Sequence, residues 1–153
     1  MTSITTHLEA PRQDPRRKVR TTGDLLVVTT VLEMAFGFAL LIAPGWVNHL
    51  LTGARQTSPE LAFVLRVASA GVFFIAASCA LGRLSETGVP RSRPLDLVPG
   101  LVVYNGCAIA IMGDALIRGV RAPLLWPAFA VHLALLAWCI ACLALERTQR
   151  RAL

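Results

Sequence analysis

The chain has 153 residues, is 55% apolar, and combines a mean hydropathy of +0.61 with a formal net charge of +6. That apolar share exceeds what soluble domains usually carry, and the length leaves room for one domain. The basic surplus suggests nucleic acid by its size but argues against it by its placement. Eleven of the fifteen basic residues flank apolar runs on one side: Arg12, Arg16, Arg17, Lys18 and Arg20, then Arg83, Arg91 and Arg93, then Arg147, Arg150 and Arg151. Only Arg55, Arg118 and Arg121 fall on the other side, and Arg66 lies inside a run. This asymmetry is the positive-inside pattern and predicts cytoplasmic termini, with the basic flanks touching anionic headgroups of the lipid bilayer.

Residues 1–23 are polar, rich in Thr, Arg and Pro, and read as a disordered basic tail. The first apolar run, 25–43, follows a capping cluster, Thr21-Thr22-Gly23-Asp24, and stops at Pro44-Gly45. It is too long for a cleavable signal segment and lacks a clean small-residue cleavage site, so it is read as an uncleaved span. Trp46 follows at the depth of an interfacial anchor, and residues 47–51 suggest a short amphipathic turn on the outer surface.

Ser58-Pro59-Glu60 opens the second run, 60–81, with a capping serine, a first-turn proline and an acid at the positive end of the helix dipole. An irregular loop with Gly88, Pro90 and Pro94 leads to the third run, 97–117, where Pro99-Gly100 predicts a ragged first turn. The short link at 118–122 makes the third and fourth runs antiparallel neighbours. The fourth run is 123–145, with Trp126 at the interface and a basic tail at 147–153.

Each run is roughly 19–23 residues, enough to cross a hydrocarbon core of about 30 Å as a helix. The expected fold is therefore all-α, an integral-membrane four-helix transmembrane bundle spanning 24–146 with both termini cytoplasmic. The abundance of arginine over lysine fits a GC-rich bacterial genome, and the expected location is the bacterial inner membrane. Small residues within the runs, including Gly37, Ala70, Gly71 and Gly106, favour close helix packing, or one face could meet a membrane partner or a second copy.

Function is sought among the polar residues inside the runs, because a charge near the bilayer centre costs about 2.5–3.5 kcal/mol on insertion scales. Glu33 lies about 15 Å and Arg66 about 10 Å from the same membrane face. Thr29, Glu33 and Gly37 share one helix face; Ala62, Arg66, Ser69 and Ala70 share another. Three readings stand: a buried Glu33–Arg66 ion pair that fixes the first hairpin, a proton relay or polar-ligand site, or an outward-snorkelling Arg66 with Glu33 protonated and alone. Asn105 and His132 come from the other two spans at similar depth. Glu33, Arg66, Asn105 and His132 thus form either a ligand or proton site or an interhelical hydrogen-bond network.

Cys139-x2-Cys142 has the form of a redox or metal motif, with Cys79 at similar depth, but an apolar span favours cysteines acting as small hydrophobes. His49 with His132 makes a poor haem pair because their depths differ. Asp114 and Arg118 should pair at i, i+4. The sequence holds no phosphate-cradling loop, nucleophile elbow or HExxH motif, so it gives no catalytic set, names no cofactor and points to no metal site.

The Glu33-x3-Gly37 pattern followed by Pro44, with Arg66-x4-Gly71 in the second span, resembles small four-span bacterial inner-membrane proteins of the DoxX-like kind. Some of these look like accessory subunits or partners of quinone-linked redox enzymes, which implies a similar role here. The leading expectation is accordingly a non-enzymatic accessory, assembly or interaction subunit. The alternative is binding of a quinone-like or lipid-like small ligand, or proton-coupled transport, at the intramembrane polar residues.

Overall fold

A computed structural model describes residues 15–84 and 94–150. Every regular element among the described residues is a helix: α1 at Pro15–Ile42, α2 at Pro44–Thr52, α3 at Pro59–Leu84, a 3-10 turn at Pro94–Leu97, α4 at Val98–Ile117 and α5 at Leu125–Arg150. Four of these, over Thr22–Ile42, Pro59–Leu84, Val98–Ile117 and Leu125–Thr148, are long and apolar enough to cross a membrane. The protein is an all-α, multi-pass four-helix bundle.

Its helix ends follow from local chemistry. α1 stops because the residue before a proline is pushed out of the helical region, and Ala43 takes φ −132° and ψ 56°. Pro44 then starts α2, where its missing N–H costs nothing. Gly53 ends α2 in the left-handed region at φ 77°, its N–H donating to the His49 carbonyl at 2.8 Å. Ser58 caps α3 as expected, its Oγ accepting the Leu61 N–H at 3.2 Å. At the end of α4, Val120 N–H reaches back to the Ala115 carbonyl and Gly119 N–H to that of Leu116, both 3.0 Å, with Gly119 at φ 80°. That pair of bonds is a Schellman cap, and it turns the chain straight into α5. The expected Asp114–Arg118 pair forms alongside at 2.7 Å.

Several boundaries differ from expectation. α1 begins at Pro15, so Thr21-Thr22-Gly23-Asp24 lies within the helix and residues 15–23 are not a separate tail; residues 1–14 lie outside the described residues. Extending a long helix is cheap once nucleated, and the single Gly23 costs only about 1 kcal/mol. α5 starts at Leu125 rather than at 123 and continues to Arg150, through the first part of the expected basic tail. The outer segment after Trp46 is a nine-residue helix rather than a single turn.

The bundle is two hairpins. α1 packs along α3, and α4 along α5; the hairpins meet mainly between α1 and α5. Gly37 permits the close α1–α3 crossing: a Cβ there would sit 2.9 Å from Cε1 of Phe73, whose ring also meets Phe38 edge-on at 5.0 Å. All four long helices join toward the start of α1 and the end of α5. There Leu25 and Leu26 of α1, Cys79 of α3, Val98 and Leu101 of α4, and Leu135, Cys139 and Cys142 of α5 form one buried cluster. Toward α2 the hairpins part, and the space between them is the site described next.

Candidate functional site: a polar-floored cavity between the hairpins

A half-open cavity of about 550 Å³ lies at the α2 end, lined by α1, α2, α4 and α5. Its walls are almost wholly apolar, from Leu32 and Phe36 through Ala108, Ile111 and Met112 to Ala128 and Val131. The wall residues of α4 recur at helical spacing from Tyr104 through Ala108, Ile111 and Met112 to Ala115, so one unbroken face is turned to the space. Leu51 and Thr52 of α2 close one end, and α2 is tied there by the Leu124 N–H, which donates to the Leu50 carbonyl at 3.0 Å.

The cavity's polar lining comes chiefly from Glu33, Tyr104 and His132. Glu33 is 4% exposed, and its Oε2 accepts the Tyr104 hydroxyl at 2.9 Å. The Tyr104 ring stands edge-on to the His132 ring, centroids 5.7 Å apart. His132 Nδ1 faces Asn105 Oδ1 at 2.9 Å, and Asn105 Nδ2 donates to the Leu101 carbonyl at 2.8 Å. Asn105 is fully buried behind the histidine. The result is a continuous polar seam from α1 to α4 to α5. One turn from Glu33 on α1, Thr29 is equally buried, and among the described residues its hydroxyl has no hydrogen-bond partner.

Glu33, Asn105 and His132, three of the four expected residues, thus come together. Arg66 does not. It is exposed on α3, and its Nε donates to the Leu41 carbonyl at 3.3 Å. Among the described residues no ion pair joins it to Glu33, so of the three readings the buried Glu33–Arg66 pair is the one this geometry corrects. The physical reason lies in the end of α1. Leu41 falls in the last turn, whose carbonyls have no intrahelical donor, and a cation satisfies one and meets the negative end of the dipole. Arg66 meets α1 at Leu41, eight residues or about 12 Å along the helix from Glu33, so the two residues are separated in depth.

Tyr104 was missed by sequence reasoning, although a signal was present. It is the chain's only tyrosine. It sits inside α4, away from the interface where membrane aromatics usually anchor, and directly precedes Asn105.

Elsewhere, the polar residues around α2 serve the turn. Asn48 donates to Thr57 Oγ1 at 3.0 Å, and His49 Nδ1 meets the Ala54 carbonyl at 3.1 Å. Cys79, Cys139 and Cys142 are packed in the terminal core cluster, and Cys107 is exposed. Among the described residues no group of three or more His, Cys, Asp or Glu side chains is placed to hold a metal ion. No protein-family model, curated protein or solved structure matches the chain.

Proposed function

We propose that the protein binds an amphiphilic small molecule, lipid-like or quinone-like, in the cavity between its hairpins, and that it does so in the bacterial inner membrane with both termini cytoplasmic. One observation carries the reading: between the hairpins, beyond the buried cluster, about 550 Å³ lies open, apolar-walled, with Glu33, Tyr104 and His132 among its lining. Ligand sites typically fall in the range of about 300–1,000 Å³ and combine apolar walls with a few convergent polar groups. Intramembrane ionisable residues that face a cavity rather than each other point the same way. The basic bias toward the termini supports the orientation. A binding protein of this kind can serve a partner enzyme, as the DoxX-like resemblance suggests, so the accessory role and the ligand role are compatible.

The test is photolabelling in membranes with a diazirine-bearing fatty alcohol, followed by peptide mapping. Saturable labelling of α1, α4 and α5 residues around the cavity, lost in Ala108→Phe, is the expected result. Labelling spread over the exposed faces of α3, with no change in Ala108→Phe, would overturn it.

A further inference from the structure

The hydrogen bonds behind the cavity fix what the cavity offers. Asn105 Nδ2 donates to the Leu101 carbonyl, so the amide cannot be turned round: a flipped Asn105 would set oxygen against oxygen. Oδ1 therefore faces His132 Nδ1, and because Oδ1 can only accept, the histidine proton is on Nδ1. In the neutral ring, Nε2 then carries a lone pair and no hydrogen. Asn105 does not line the cavity but His132 does, so Nε2, across the ring from Asn105, is the atom presented to a ligand. Among the described residues Nε2 has no partner. Glu33 is arranged in the same way. Its Oε2 is taken by the Tyr104 hydroxyl, and Oε1 has no partner among the described residues.

We infer that the cavity selects a ligand whose polar head is a hydroxyl, an alcohol or a phenol, held between Glu33 and His132; this rests on the binding role proposed above. His132 Nε2 needs a donor. Glu33 Oε1 needs a donor when ionised and supplies one when protonated. With Glu33 protonated, one hydroxyl satisfies both groups, donating to Nε2 and accepting the carboxyl proton on its oxygen; with Glu33 ionised its single proton reaches only one of them. A ketone, ester or ether head has no proton for Nε2 and would cover that acceptor while leaving it unpaired, so among quinone-like ligands the reduced quinol is favoured over the quinone.

The test compares three probes of one shape, para-octylphenol, para-octylanisole and octylbenzene, by displacement of radiolabelled para-octylphenol from protein in lipid nanodiscs. The expected result is roughly tenfold tighter binding of the phenol than of the methyl ether, equivalent to about 1.4 kcal/mol. In His132→Phe the two should bind within about twofold of each other. Equal affinity of phenol and ether for the wild-type protein, with binding abolished by Ala108→Phe, would overturn the head-group inference and leave the binding role standing. Absence of saturable binding by any probe would overturn both. The wild-type comparison decides the question whether or not His132→Phe folds.

Discussion

The partner of Glu33 can be decided by a double-mutant cycle. Glu33→Leu with Tyr104→Phe removes the 2.9 Å hydrogen bond between α1 and α4, each change alone deleting one partner. Side-chain hydrogen bonds measured within membranes average about 0.6 kcal/mol and reach about 1.7, and bonds to a charged group lie toward the upper end. A coupling energy near 1 kcal/mol is expected, about a fivefold effect on the unfolding equilibrium. The same cycle run with Arg66→Met should give a coupling within about 0.3 kcal/mol of zero, as for residues that share no contact. Arg66→Met alone should still cost about 0.5–1 kcal/mol, because it frees the Leu41 carbonyl at the end of α1. The assay is equilibrium unfolding in bicelles, followed by far-UV circular dichroism. Coupling to Arg66 larger than coupling to Tyr104 would refute the geometry of the seam and restore the ion pair.

Three further outcomes follow from single contacts. Asn105→Leu removes the acceptor for His132 Nδ1 and should destabilise the bundle by about 1–3 kcal/mol in the same unfolding assay, the cost of leaving a buried donor unpaired. Gly37→Val places branched carbon against the Phe73 ring, where even a Cβ sits at 2.9 Å, and should cost about 1–3 kcal/mol; an unchanged unfolding curve would mean that α1 and α3 cross elsewhere. Gly119→Ala forces a side chain into φ 80° at the Schellman cap and should cost about 1 kcal/mol, with little effect on ligand binding because the residue does not line the cavity.

Much of the architecture was legible because a bilayer constrains sequence strongly. Runs long enough to span, Pro44-Gly45 as a stop and Ser58-Pro59 as a start have local causes, and the structure follows them to within a few residues except at the start of α1. That start was misread because an uncapped polar segment looks like a tail, while an existing helix extends through it at little cost. The site was legible in part. Glu33, Asn105 and His132 stand out as polar residues that an apolar run would otherwise exclude. Their grouping depends on rotation about each helix axis, which depth does not give. The ion-pair reading of Glu33 and Arg66 fails on depth as well, because counting from the ends of the runs overlooks how α3 is offset along α1: the structure takes Arg66 to Leu41, eight residues beyond Glu33, and turns Glu33 to Tyr104. The cavity was not legible at all. It arises from how the two hairpins part beyond the cluster around Leu26, Cys79, Leu101 and Cys139, a property of packing between helices distant in the chain.

The most direct measurement of the central claim is native mass spectrometry of the protein extracted in its own lipid, wild type beside Ala108→Phe. A defined small-molecule mass that stays bound to the wild-type chain and is missing from Ala108→Phe is the predicted result. The same adducts on both proteins, or a bare wild-type chain released with a polypeptide partner at fixed stoichiometry, would contradict a ligand held in the cavity.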